Sequence, residues 1–250
     1  MKNKFIRNTL ILSVVSLVVI AVPTLLTFTG IMDAYSSGVF ALAGIYAIMA
    51  ISVNIISGIT GQLSLGQAGF MALGAYATIL LNTNAHIPLP LAVVCAGLIT
   101  AFFGFLIGFP TLKLEGDYLA IVTLAFGEII RVILVNLKQW TGGPNGKSFP
   151  TVLTLNPTVA VLVVAAVLVL VVVFVQNIVR STFGRAILAV REDEIAANSC
   201  GIHVFHYKMA GFVLASFVAG IGGALYVMYV GFIKPEQAAF TKSIDYLFFV

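Results

Sequence analysis

Two stretches of this chain carry no charge at all. No Asp, Glu, Lys or Arg occurs from Ala34 to Leu112, and none from Ser148 to Val179. A soluble domain of this size could not hide that much apolar surface, and its charged fraction would be about 25%, against 9% here. The solvent for these stretches is therefore a lipid bilayer, and a spanning helix needs about 20 apolar residues. Spans are expected at residues 9–29, 35–59, 63–81, 89–109, 118–137, 158–178 and 209–232, with an eighth from 243 still running at 250. The expected fold is an all-α polytopic transmembrane helix bundle. Residues 1–250 are expected to form one transmembrane domain, with a C-terminal truncation falling inside the last, incomplete span.

Lys2, Lys4 and Arg7 precede a charge-free stretch from 8 to 32. That is longer than a signal-peptide core, so it reads as a retained first helix. With the N-terminus inside, the inner segments carry eight Lys/Arg and the outer segments four. The positive-inside bias then puts the N-terminus and residues 180–208 in the cytoplasm. The net charge of +4 reads as topology and not as nucleic-acid affinity. Cys95 and Cys200 form no disulfide framework and no CxxC motif.

The spans are not uniform. Ser57-Gly-Ile-Thr-Gly-Gln-Leu-Ser-Leu-Gly-Gln-Ala-Gly69 separates the second from the third. Non-helical backbone at membrane depth is tolerated only against protein or a water-filled cavity. This segment is either a broken helix lining a solute path or a tight cytoplasmic turn. In the fifth span, Glu128 lies roughly 15 Å from the inner end, and Arg131 shares its helix face. The two either face a translocation path or pair between helices. Gly61, Gln62, Ser64, Gly66, Gln67, Tyr118, Glu128 and Arg131 are the candidate path residues. Glu115 and Asp117 sit at the mouth of that span, with Asp117 fitting an N-cap. Gly104 with Gly108, Ala215 with Ala219 and Gly223, and Gly220 with Ala224 have the spacing of close helix packing in lipid.

Thr141-Gly-Gly-Pro-Asn-Gly-Lys-Ser148 nearly spells a phosphate-binding loop, but it follows a membrane span and leads into Phe149-Pro150. A working loop follows a strand and opens a helix. The chain therefore has no nucleotide site of its own, and any ATP is handled by another subunit. His203 and His206 read as interfacial polar residues, with no third metal ligand in view. No cofactor or metal is expected.

The segment 180–208 is the one long polar stretch in the chain, with four of the thirteen Lys/Arg and three of the nine Asp/Glu. Residues 183–201 read as one amphipathic helix with Ile187, Val190, Ile195 and Ala197 as its apolar stripe. The acidic run Glu192-Asp193-Glu194 would be repelled by an anionic lipid surface, so docking on a protein fits better.

These residues carry a resemblance. Glu194-Ile-Ala-Ala-Asn-Ser-Cys-Gly201 is similar to the EAA loop of ABC importer permeases, although Ile195 interrupts the Glu-Ala-Ala and no I-x-L-P follows. SLGQAGFMALGAY (64–76), LEGDYLAIVTLAFGEIIR (114–131), TGGPNG (141–146), GRAILAVREDEIAANSCGI (184–202) and AGIGGALYVMYVGFIKP (219–235) together resemble the M-type permeases of branched-chain amino acid ABC importers. The resemblance implies a transport subunit without enzymatic activity in a bacterial or archaeal cytoplasmic membrane. It implies a second homologous permease, two cytoplasmic ATP-binding subunits and an extracytoplasmic amino-acid-binding protein as partners. Arg185, Arg191, Glu192, Asp193, Glu194, Ala196, Ala197 and Gly201 would then couple to the ATPases. Urea and short-amide permeases are relatives, and an ion-coupled carrier using Glu128 and Arg131 is the reading from another class.

Overall fold

The computed structural model describes residues 18–30, 32–114, 116–150, 153 and 156–250. Lys2, Lys4, Arg7, the first half of the expected first span and Glu115 lie outside the described residues. Among the described residues eleven α-helices follow in order: α1 (Val18–Phe28), α2 (Ala34–Asn54), α3 (Gln67–Ala85), α4 (Leu89–Thr111), α5 (Asp117–Asn136), α6 (Lys138–Thr141), α7 (Pro157–Arg180), α8 (Thr182–Glu192), α9 (Glu194–Ser199), α10 (Val204–Val230) and α11 (Phe240–Leu247). A π-helical turn (Ile55–Ile59) extends α2. The two short strands β1 (Lys147–Ser148) and β2 (Phe232–Ile233) pair antiparallel.

The boundaries follow from local chemistry. Proline opens α4 and α7, where its missing N–H costs nothing. Gly231, at φ 72°, closes α10 in the left-handed conformation that favours glycine. Gly116, at φ 59°, occupies the cap of α5. Asp117 is thus the first helical residue and makes no side-chain cap bond, contrary to the sequence expectation. It still stands in the first turn, where a carboxylate suits the helix dipole.

Five helices among the described residues are long and apolar enough to cross a membrane: Ala34–Ile59, Leu89–Thr111, Asp117–Asn136, Pro157–Arg180 and Val204–Val230. The protein is an all-α polytopic membrane protein. In α10, 72% of the apolar window is buried, against 28% in α7, so α10 is the interior helix and α7 lies at the periphery of the bundle. Helix α3 is 19 residues long, and Gln67 to Ile79 are all buried except Leu73. Protein surrounds it, which is how it can carry Gln67, Thr78 and three glycine or alanine contacts without an apolar lipid face.

Small residues set the spacing of this interior. A Cβ at Gly74 would stand 2.4 Å from the Gly220 carbonyl oxygen, and one at Gly223 only 1.9 Å from that of Met71. Such contact is open only to glycine. Phe70 meets Phe212 edge to face and Gly74 meets Gly220, so the numbers rise together and α3 and α10 run parallel. On the other side Gly97 meets Phe217 and Ile221, Gly104 meets Ser216 and Gly108 meets Met209, which makes α4 antiparallel to α10.

The third span starts at Gln67 and not at 63, because residues 60–66 leave the helix. The seventh starts at Val204 and takes Lys208 into α10. After Gly231 the chain turns back into the bundle through β2 and a 3-10 turn (Pro235–Ala238) and begins α11 at Phe240. The expected amphipathic helix 183–201 is in fact two helices. Asp193, at φ −157°, breaks it and caps α9 by accepting from the backbone N–H groups of Ile195 and Ala196, both at 2.9 Å.

Candidate functional site

Three groups of polar residues converge on the non-helical parts of the bundle. The first is the break itself. Ser52 Oγ donates to the Ala215 carbonyl at 2.8 Å and lies 3.1 Å from Gln67 Oε1. Ala215 is eleven residues into α10, so Gln67 sits about 16 Å from that helix's start, half-way along it. The segment is a helix break inside the bundle and not a surface turn. The Leu65 N–H donates to Thr123 Oγ1 at 3.1 Å, and Gly66 approaches the Thr123 carbonyl, which ties the break to α5. Gln62, Ser64 and Gln67 are 4%, 5% and 1% exposed. Both amide atoms of Gln62, the Ser64 hydroxyl and Gln67 Nε2 find no hydrogen-bond partner among the described residues. An unmade bond at a buried polar atom costs about 1–3 kcal/mol.

The second group is the α8–α9 projection. Ser181 caps α8 by accepting from the Gly184 N–H at 3.1 Å. Ile187, Val190 and Ala197 are buried and fix the two helices against the bundle. Lys208, 9% exposed, pairs with Glu194 and anchors α9 to the first turns of α10. Arg191 reaches across to the break: its Nη1 donates to the Gly58 carbonyl at 2.5 Å, and its stem packs on Gly61, which sits at φ 69°. Arg185, Glu192, Asp193, Ala196 and Gly201 are exposed. Ile195 is 82% exposed, an apolar side chain at the tip of a charged knob.

The third group lies on α5 and α11. Arg131 Nε meets Glu128 Oε2 at 2.5 Å, and Glu128 Oε1 accepts the backbone N–H of Phe240 at 3.2 Å. A carboxylate half-way along α5 thus holds the N-terminus of α11. Ser243 Oγ accepts the N–H of Ala68 at 3.1 Å, joining α11 to the first turn of α3. Further along α11, Lys242 and Asp245 pair at 3.2 Å. The side chains of Glu128 and Arg131 are 28% and 37% exposed, and those of Lys242 and Asp245 44% and 53%. Charges at the centre of a helix facing lipid would cost about 2.5–3.5 kcal/mol each on insertion scales. This side of the bundle therefore faces protein or water in the membrane.

The structure links Arg191 to Gly61, and Gly66 and Gln67 to α5, α2 and α10. It leaves Tyr118 apart from them, 73% exposed at the first turn of α5. Sequence reasoning missed Ser52, Gly58, Thr123, Lys242, Ser243 and Asp245. Lys242 and Asp245 stood in a segment read as an outer loop and the start of a span. Their i, i+3 spacing was the available signal. The near phosphate-binding loop forms a 3-10 turn (Gly143–Asn145) and β1, with Thr141 Oγ1 donating to the Leu134 carbonyl at 2.6 Å; no helix opens from it. His203 and His206 stack edge to face, and no group of three metal-ligating side chains occurs among the described residues.

The described residues thus form a polytopic helix bundle with a helix break at mid-depth and a charged projection bonded to that break. The family described as "Branched-chain amino acid transport system / permease component" matches residues 35–250, and the chain belongs to it. The high-affinity branched-chain amino acid transport system permease protein LivM of Salmonella typhimurium is 40% identical over 228 residues, 80% of this chain and 54% of that protein. LivM of Escherichia coli is 39% identical over 231 residues, 81% of this chain and 54% of that protein. The nucleoside ABC transporter permease protein NupC of Lactococcus lactis is 27% identical over 192 residues, 66% of this chain and 58% of that protein. The chain spans about half the length of these two LivM proteins. No solved structure matches it.

Proposed function

We propose that the chain is a permease subunit of an ATP-driven importer for branched-chain amino acids. It works in a bacterial or archaeal cytoplasmic membrane beside a second, homologous permease. Two cytoplasmic ATP-binding subunits hydrolyse ATP for it, and an extracytoplasmic binding protein delivers the solute. Family membership and the likeness to LivM support the solute class. The likeness to a nucleoside permease keeps other small polar solutes as the alternative.

The observation that carries the coupling role is Arg191. It sits on the α8–α9 projection yet bonds to Gly58 at the helix break. Movement of the projection is thereby delivered to residues 58–67 without an intervening loop. Gly61, Gln62, Ser64, Gly66 and Gln67 then line the path, where water or solute completes the bonds that Gln62, Ser64 and Gln67 lack among the described residues. The exposed Ile195, flanked by Arg191, Glu192 and Asp193, supplies an apolar anchor within a charged rim, the pattern of a protein-binding hot spot. This assignment puts the N-terminus and α8–α9 in the cytoplasm, with eight membrane passages that include α3 and α11.

Co-expression with the two ATP-binding subunits tests the reading. Ile195→Glu is expected to abolish their co-purification and leucine uptake, while the subunit still inserts and elutes as a folded species. Undiminished uptake by this variant refutes the docking role of α9.

A further inference from the structure

The charges on α5 and α11 have no part in the coupling route just described. Glu128 lies half-way along α5, eleven residues from its start. Phe240, bonded to Glu128, begins α11, and Lys242 and Asp245 follow within one and a half turns. Ser243 and Tyr246 turn inward onto Ala68 and Met71, which sets Lys242 and Asp245 outward. Helix α11 therefore presents an exposed ion pair at mid-bundle depth, beside a second pair on α5 that is about one-third exposed. Two cations and two anions alternate there, with no net charge.

We infer that this face is a solute-binding wall, and that its ligand is a zwitterionic α-amino acid. The inference rests on the transport reading above and names the chemistry of the site. A zwitterion carries one carboxylate and one ammonium group a few ångströms apart. Lys242 and Asp245 can exchange their mutual bond for bonds to those two groups, so charges balance before and after entry and neither side chain is left unpaired. The Glu128–Arg131 pair stays closed, because Glu128 also holds the α11 N-terminus. It positions α11 and is not itself the primary contact. Lipid is a poor occupant, since it offers no counter-charge at this depth. A large apolar protein surface would leave both pairs desolvated.

The assembled complex, with both native cysteines replaced (Cys95→Ala, Cys200→Ser), provides the test. Thr241→Cys places a thiol on the exposed face beside Lys242. A water-soluble maleimide is expected to label it in proteoliposomes. Leucine should slow labelling by about tenfold, a contribution typical of one paired charge contact. Isocaproate, which lacks the ammonium, and isopentylamine, which lacks the carboxylate, should not protect. Asp245→Asn should abolish protection by leucine without changing the labelling rate in its absence. Equal protection by isocaproate overturns the zwitterion assignment. A thiol that only a lipid-soluble maleimide reaches, or that nothing reaches in the assembled complex, assigns the face to lipid or to a protein interface and overturns the wall. Radiolabelled leucine uptake by the wild-type complex is measured alongside. Uptake without protection refutes this site and leaves the transport reading standing. A complex that takes up no leucine refutes the transport reading and this site with it.

Discussion

Glu128→Ala removes two contacts at once, and the structure separates their sizes. The Glu128–Arg131 pair is about one-third exposed, so its coupling falls between an exposed pair, worth about 0.2–1 kcal/mol, and a buried one, about 3–5 kcal/mol; about 2 kcal/mol is the working value. The bond from the Phe240 N–H to a charged acceptor adds about 1.5 kcal/mol. Glu128→Ala should therefore cost roughly 3.5 kcal/mol, and Glu128→Gln, which keeps the acceptor, about 2. Arg131→Ala should cost about 2 kcal/mol. The double variant Glu128→Ala with Arg131→Ala should lose no more than Glu128→Ala alone, because the pair is removed only once. Unfolding of the purified subunit by SDS titration in mixed micelles, followed by far-ultraviolet circular dichroism, measures all four. Losses that simply add in the double variant would refute the pairing. Equal losses for Gln and Ala at 128 would refute the role of the carboxylate in holding α11.

Three other substitutions probe the coupling and the interior. Arg191→Met keeps the stem against Gly61 but deletes the bond to the Gly58 carbonyl; leucine uptake in proteoliposomes should fall about tenfold while the ATP-binding subunits still co-purify, a coupling loss and not an assembly loss. Gly223→Ala drives a methyl to within 1.9 Å of the Met71 carbonyl and should cost about 2–3 kcal/mol in the same SDS titration. Gly38→Ala, which meets only the hydroxyl end of Tyr229, should cost less than half as much.

The membrane class was legible because charge exclusion is a property of composition and needs no knowledge of packing. The packing stripe of Gly220, Gly223 and Ala224 was legible for the same reason: in lipid, small residues at four-residue spacing have one main use. The split of 183–201 at Asp193 was not read. The apolar stripe of Ile187, Val190 and Ala197 continues across the break, and only the backbone shows Asp193 leaving the helix. Lys208 was read as a loop charge because sequence cannot show that Glu194 folds back to pair with it. Lys242 and Asp245 escaped notice because the chain reverses direction after Gly231, so residues that looked interfacial lie deep beside Glu128. Long-range reversals of that kind leave no periodic trace.

The burial of α3 against α10 also bears on how the protein is made. Helix α3 leaves the ribosome about 120 residues before α10 begins. At ~5–20 residues per second, that is an interval of roughly 6–24 s. For that time Gln67, Thr78 and the glycine face of α3 stand without the helix that will cover them, in a segment too polar to settle in lipid alone. Helix α4, made next and packed against α3, is the available shelter. The α3–α4 hairpin is then the unit that the insertion machinery hands over, and α10 locks it in place afterwards.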